Sequence, residues 1–513
     1  MAEILAAVDI GTSGVKAMLF DACGSPLGSG YQEVFCTYPR VNWVEQDPVM
    51  LLDAAFNTLG EAVRQSNVSP SEVAALSFST QRSCAIFIDE HDVPIVMLSW
   101  QDNRATDEVR IIKQTVDEAE YYRVTGTPPC ETWILPKWLW FRKNEPEQFS
   151  KTSRVLQLHD YIFREFGADD YITDETSCAF FGFWDTFKRK WNEDYLDLFN
   201  IDRRMLPAPT LSGVAAGMLS EKAAGRIGLL PGTPLITGVG DDNSACAGTG
   251  ILREGQISSI IGTGGGLKAF SSTPVYDPAG SCFVTNSVVS PGWQIEGLTN
   301  AAASSFRWFR DEIAALEKEQ ATSRGEDPYE LLSAMAESVP PGARGLLLLP
   351  YFAAAGTPRL NPNARGTLIG LSLLHDRACI ARAFMEGIAM ENKDILCSFQ
   401  DMGMLAQCIR ATSGAAKSSV WTQIQADVYN MPVERLIVTD SALLGAAMSA
   451  AVGAGMYPDF LAASDAMVQI RDRVEPIPEN AERYDALFAL YCKAYEAMSS
   501  FGVFDGISSL QDL

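Results

Sequence analysis

The sequence predicts an α/β protein built of two related halves. A short apolar run, Leu5 to Ile10, enters Gly11-Thr12-Ser13-Gly14 and leaves through a second apolar run, Val15 to Phe20. The same order returns as Ile257 to Ile261, then Gly262-Thr263-Gly264-Gly265-Gly266, then Leu267 to Phe270. Each copy reads as a hairpin whose Gly/Thr/Ser tip lets backbone N–H groups approach an anion closely. At 513 residues the chain is also too long for one core, and its 47% hydrophobic content is ordinary for a globular protein.

Two readings of the repeated turn stand side by side. A Gly-Thr-Ser-Gly turn alone is a plain hairpin loop, and neither copy closes with the Gly-Lys-Ser/Thr of a P-loop. The duplication favours a pair of phosphate clamps holding a nucleotide in a cleft. So does Asp9, an acid inside an apolar strand, which is costly unless it binds something. Ile260 stands at the matching place in the second copy, so the halves are not equivalent.

The remaining elements follow in order. After strands 4–10 and 15–20 and a weaker one near 27–36, Asp47-Pro48 opens a helix whose apolar face is Val49, Leu52, Phe56, Leu59 and Val63. Val73 to Phe78 is a buried strand ending in Ser79-Thr80-Gln81-Arg82, and strands Ala85 to Ile88 and Ile95 to Leu98 flank a turn. Segment 100–205 is helical and aromatic-rich, an insertion on the first core. Pro231 to Thr237 is a strand that runs into Gly238-Val239-Gly240-Asp241-Asp242, and a small-residue helix covers Asn243 to Gly250. The second half repeats the theme with strands 257–261 and 292–297 and a helix over 300–317. Gly345 to Pro350 is a strand, Leu373 to Gln400 a long helix, and Gln407 to Ala411 a strand leading through Ser413-Gly414-Ala415 into a helix at 418–429. A strand at Val433 to Ile437, an Ala/Gly-rich helix at Leu443 to Val452 and a helical tail at 479–500 complete the reading. The expected division is 1–251, carrying the acceptor site and the reactive acid, and 252–513, carrying the nucleotide site and the tail.

Charge and composition narrow the partners. A net charge of −24 argues against nucleic acid or an anionic membrane. No basic stretch leads into an apolar run at the start, and no apolar run reaches the ~18 residues needed to span a bilayer, so a cytoplasmic chain is expected. Three scattered histidines and eleven cysteines without a CxxC spacing leave zinc and histidine catalysis aside. Any metal should be a hard cation such as Mg²⁺, held by carboxylate and phosphate oxygens.

Two groups of residues carry chemistry. Asp241, in Gly-Val-Gly-Asp-Asp after a strand, is either a helix cap or a base that takes a proton from an attacking hydroxyl. Gln81, Arg82, Trp100, Asp102 and Arg104 supply fixed hydrogen-bonding groups and an indole face, which suits a polyol or sugar; a salt-bridged hinge fits the same residues.

From these residues onward the chain resembles the FGGY carbohydrate kinases, relatives of the actin, hexokinase and Hsp70 superfamily. The resemblance spans about residues 4–455. It rests on Asp9-Ile10-Gly11-Thr12-Ser13, Trp43-Val44-Glu45-Gln46-Asp47-Pro48, Trp100-Gln101-Asp102-Asn103-Arg104, Gly240-Asp241, Ile261-Gly262-Thr263-Gly264, Arg307-Trp308-Phe309-Arg310-Asp311, Leu349-Pro350-Tyr351, Asn363-Ala364-Arg365-Gly366, Arg410-Ala411-Thr412-Ser413-Gly414 and Leu444-Gly445-Ala446-Ala447. It implies two ribonuclease-H-like domains that close on ATP and a sugar or polyol, with Asp241 as catalytic base. It implies phosphate contacts from Gly11, Thr12, Ser13 and Lys16 and from Gly262, Thr263 and Gly264. Gly414, Ala415 and Ser418 would lie by the adenosine, and Asp9 with Asp241 would hold Mg²⁺. Gln81, Arg82, Trp100, Asp102, Asp241 and Asp242 would meet the acceptor, and a homodimer is a common assembly for such kinases.

On the substrate the resemblance divides. Gln81-Arg82 is similar to glycerol kinases, which follow it with Glu and carry Tyr further on; here stand Ser83 and Thr132. The second half is more similar to xylulokinases, but their Met-His pair is absent and Asp242 replaces their Asn. A ketose such as xylulose, or a longer polyol, is expected. A glycerol or other polyol kinase and a non-catalytic ATP-binding sugar sensor remain as alternatives, and a chaperone-type switch is disfavoured because no peptide-binding domain is expected after the second half.

Overall fold

The computed structural model describes residues 3–511. It divides into two compact units. The first comprises the chain up to Arg253 with Phe270–Gln294 and Asp440–Gln469; the second comprises Glu254–Ala269, Ile295–Thr439 and the chain from Ile470 onward. A single cut after residue 251 therefore differs from the observed division, because two later segments return to the first unit.

The first unit is built on strands β1 (Ile4–Ile10), β2 (Gly14–Phe20), β3 (Pro26–Glu33), β4 (Val73–Thr80), β5 (Ala215–Met218), β6 (Pro234–Ile236) and β7 (Val239–Gly240). Their order is β5-β6-β4-β1-β2-β3, with β7 beside β4. β1 runs antiparallel to β2 and parallel to β4. Alternation along β1 sends Ala6, Val8 and Ile10 to one face, where they join Leu51, Ala55 and Leu59 of helix α1 (Pro48–Ser66) in a single core. Asp47 caps α1 as its sequence signature predicts, accepting Val49 N–H at 2.8 Å. Helix α2 (Leu158–Phe166) closes this core, with Phe166 stacked on Phe56 at 4.4 Å. Leu5, Ala7 and Asp9 point to the other face.

That other face is covered by the helix Ser441–Gly453, which packs on β1 and β4 and against helix α3 (Asp241–Gly248). A Cβ at Gly445 would lie 1.9 Å from the Ser244 carbonyl oxygen, and one at Gly248 would lie 1.9 Å from that of Ser441. The Ala/Gly-rich composition of both helices is thus a packing requirement. Segment 100–205 is largely helical, as expected, and encloses the fully buried Trp138, Trp184 and Trp191.

The second unit uses β8 (Gln256–Ile261), β9 (Gly265–Ser271), β10 (Trp293–Thr299), β11 (Cys408–Thr412), β12 (Val433–Leu436) and β13 (Ile470–Val474). Its order, β10-β9-β8-β11-β12-β13, reproduces β3-β2-β1-β4-β6-β5. The paired senses agree as well: antiparallel for β8–β9 and β12–β13, parallel for β8–β11 and β11–β12. Asp9 sits opposite Lys16 in the first hairpin, and Ile260 opposite Gly266 in the second.

Around this sheet lie α4 (Ala302–Trp308), α5 (Pro328–Glu337), α6 (Arg377–Asp401) and α7 (Ser419–Tyr429). The helix expected over 300–317 breaks instead into α4, a wider turn at Phe309–Ile313 and a new helix at Ala315–Arg324. α5 was not expected. α6 begins at Arg377, where the Asp376 carboxylate accepts Cys379 N–H at 3.0 Å. The tail helix runs from Pro478 to Ser500. Among the described residues no helix is long and apolar enough to cross a membrane.

Gly445→Ala should destabilise the first unit by about 1–3 kcal/mol, because its methyl group meets backbone rather than a movable side chain. The check is the denaturation midpoint of the variant followed by a tryptophan signal.

Candidate active site

The strand ends of the first unit bring the predicted acceptor residues together. Arg82 follows β4, and its guanidinium is turned toward the start of α3. It donates to Asp242, and to Asn243 Oδ1 at 3.0 Å, and its Nε lies 3.3 Å from Asp241 Oδ1. The same guanidinium stacks over the Phe180 ring at 4.4 Å. The charge at the end of the buried strand is thus matched by two carboxylates, as its burial requires. Asp241 is the first residue of α3, not its cap; Gly240 holds the cap position, and the Asp241 carboxylate accepts Asp242 N–H at 2.9 Å.

Gln81 is buried and fixed. It accepts the Thr12 hydroxyl at 2.9 Å and donates to Gln46 Oε1 at 2.8 Å. The 40% exposed Trp100 donates its indole N–H to the same Thr12 hydroxyl at 2.8 Å. The Thr12 side chain therefore ties the hairpin tip to Gln81 and Trp100. Ser13 is exposed beside it. Lys16 forms an ion pair with Asp440 at 2.7 Å. Asp102 departs from the expected set: it is fully buried, accepts Val44 N–H at 2.7 Å and binds Arg104 Nε at 2.8 Å. Its carboxylate braces the loop and does not face an acceptor.

At Ser83 and Thr132, the positions where glycerol-kinase residues are missing, the Ser83 hydroxyl donates to the Thr132 backbone carbonyl at 2.6 Å. The buried Lys137 donates to the carbonyls of Ser83, Ser99 and Thr132, locking three loops behind Arg82 and Trp100. Nothing in its local sequence marks this lysine as buried.

Asp9 accepts the Ser79 hydroxyl at 2.6 Å. Burial pushes its carboxyl up to about 7, and the Asp241 charge adds to the rise, while the Ser79 hydrogen bond and Lys16 pull it down. A carboxylate so disfavoured as an anion is suited to a cation. Among the described residues no three His, Cys, Asp or Glu side chains gather as a metal site. Asp9 and Asp241 are close enough for the charge of one to act on the other, and Mg²⁺ is a cation commonly held by one or two carboxylates together with phosphate and water oxygens.

The second unit holds a cavity of about 670 Å³, within the range of small-molecule sites. It is lined by Gly262 and Thr263 of the hairpin, by Gly414, Ala415 and Ser418 before α7, and by Arg307 of α4. Gly264 lies in the same hairpin but does not line the cavity. The hairpin carbonyls of Gly262 and Thr263 accept the N–H groups of Ala303 and Ser304, which seats the tip on α4. Ser418 caps α7 through Trp421 N–H at 3.2 Å and donates to Ser333 at 3.1 Å. Ser413 holds φ 68° and ψ −163°, a region kept by glycine in most proteins and costing on the order of 1–3 kcal/mol otherwise.

Asp327, Tyr329, Glu330 and Ser333 also line this cavity, from α5 and its cap. They escaped the sequence reading, yet their signal was present: Asp327-Pro328 repeats the cap-and-proline start that marks α1 at Asp47-Pro48.

Comparison with known proteins gives this geometry a family. Residues 4–248 match the N-terminal domain, and residues 257–454 the C-terminal domain, of the FGGY family of carbohydrate kinases. The chain belongs to that family. It is a two-domain α/β sugar kinase, ATP-dependent and acting on a small sugar or polyol. The chain is 29% identical to a gluconokinase of Bacillus subtilis (strain 168) over 493 residues, covering 96% of this chain and 95% of that one. It is 28% identical to a xylulose kinase of the same strain over 491 residues, covering 95% and 96%. Among solved structures it is similar to a ligand-bound xylulose kinase from Lactobacillus acidophilus, with a TM-score of 0.89, 25% identity and 98% and 99% of the two chains covered.

Asp9 should titrate near pH 7 in the metal-free kinase, and Asp241→Asn should lower that midpoint by removing one negative neighbour. Burial, the largest cause, remains, so the midpoint should stay above that of an ordinary aspartate. Carboxyl-carbon NMR of the two proteins reads both values.

Proposed function

We propose that this FGGY kinase phosphorylates a neutral ketose, a ketopentose such as xylulose, with Asp241 as general base. The observation that carries the reading is the state of Arg82. Its guanidinium is already engaged by Asp241, Asp242 and Asn243, and Asp9 adds a further acid nearby. Such a neighbourhood welcomes hydroxyl groups, which donate to carboxylates, and repels the carboxylate of an aldonate such as gluconate. Glycerol is disfavoured because Ser83 and Thr132 stand where glycerol kinases carry Glu and Tyr, and the Ser83 hydroxyl is already spent on the Thr132 carbonyl.

In this reading Gln81, Arg82, Asp242 and the Trp100 face orient the acceptor. Asp241 takes the proton of the attacking hydroxyl as the new oxygen–phosphorus bond forms. The bond from the γ-phosphorus to its bridging oxygen breaks, and ADP leaves. Most of the rate comes from positioning and charge neutralisation. Mg²⁺, held by Asp9 and Asp241, would supply charge neutralisation on the phosphates. The adenosine end of ATP is assigned to the cavity of the second unit, between Gly414-Ala415 and α5. The backbone of Gly11 to Ser13 and of Gly262 to Gly264, with Lys16, is assigned to the phosphates.

A coupled ADP-release assay over D-xylulose, L-xylulose, D-ribulose, xylitol, glycerol and gluconate tests the substrate. A ketopentose should give the highest kcat/KM; a preference for gluconate would overturn the charge argument. Asp241→Asn should lower kcat by about 10²–10⁴-fold and leave ADP affinity nearly unchanged. A Cβ at Gly414 would meet no atom within 4 Å and opens toward the cavity that Gly414 lines, so Gly414→Phe should fold normally. It should raise the ADP Kd at least about tenfold by filling the cavity, as read by calorimetry.

A further inference from the structure

Asp241 owes its place to the three residues before it, and those are gripped from behind by groups that touch neither substrate nor nucleotide in the proposed function. The Gly238 N–H donates to His159 Nε2 at 3.0 Å. The Gly240 N–H donates to Thr176 Oγ1 at 3.1 Å. Between them Val239 pairs with Ser79 of β4. Every residue of β7 is therefore tied before the chain turns into α3.

His159 sits on α2, 1% exposed, with its ring stacked on Phe163 at 5.4 Å. Because Nε2 accepts a backbone hydrogen, the ring proton belongs on Nδ1, which faces Asp160 Oδ1 at 3.5 Å. The fit is close: a Cβ at Gly238 would lie 2.3 Å from the Phe78 carbonyl oxygen and 3.0 Å from His159 Cδ2. Thr176 in turn binds Asp174 through both its hydroxyl and its N–H. Losing either acceptor would leave a buried N–H without a partner, and the least costly response is a shift of β7. Asp241 would move with it, away from Arg82.

We propose that His159 and Thr176 are positioning residues for Asp241. This rests on Asp241 being the base. The glutamine amide reaches the position of Nε2 in histidine, whereas the asparagine amide matches Nδ1 and falls short of Gly238. His159→Asn should therefore lower kcat by about 10- to 100-fold with KM for ATP within about twofold, since a base misplaced by a fraction of an ångström costs rate and not nucleotide binding. His159→Gln should recover kcat to within about threefold of the parent. Thr176→Val and Thr176→Ser ask the same question at Gly240, and they decide it if His159→Asn fails to melt cooperatively. Equal losses within both pairs, or no loss in either, would overturn the proposal. Asp241→Asn, run alongside, separates the two ideas. If that variant stays active, the base assignment falls; if it is inactive while neither pair shows rescue, only the positioning role falls.

Discussion

One charge organises the first unit: the guanidinium of Arg82 at the end of a buried strand. An arginine there is tolerable only with carboxylates in contact, and α3 supplies two in its first turn. That requirement draws the end of β4, the end of β7 and the start of α3 to one point. The loops that carry Trp100 and Thr132 are then locked behind it by the ammonium of Lys137, which binds three carbonyls. What looks like a set of separate recognition residues is a single electrostatic knot with an indole at its rim.

The halves share a strand order but not a chemistry. In the first hairpin the paired positions are Asp9 and Lys16; in the second they are Ile260 and Gly266. At the hairpins the first unit gathers charge, whereas the second offers backbone beside a cavity. This asymmetry suits phosphoryl transfer, in which one partner must be deprotonated and the other only held.

Much of this was legible from residues alone, and the failures have identifiable causes. The hairpins, α1 with its Asp47 cap and the position of Asp241 follow from short-range patterns that the chain repeats. The return of Asp440–Gln469 to the first unit does not, since it depends on which distant faces fit, and the glycine contacts that decide it are invisible until both helices are placed. Asp102 misled because an acid beside Trp100 looks the same whether it faces a sugar or its own loop. Lys137 was missed because burial is what makes a lysine informative, and burial is not written locally. α5 is the exception, since its start signal was legible and went unused.

The crossing of α3 with the helix Ser441–Gly453 also has a consequence for how the chain is made. β1, β2 and β4 leave the ribosome early, but the helix that covers their second face is not synthesised until residues 254–439 have passed. Throughout that interval Leu5 and Ala7 lack the cover this helix gives them, and Asp9 lacks its neighbour Asp440. At ~5–20 residues per second the exposed sheet waits for many seconds. The second face of the N-terminal sheet is thus completed only once the helix Ser441–Gly453 has been made, so the order of synthesis places the last piece of the first core after most of the second unit.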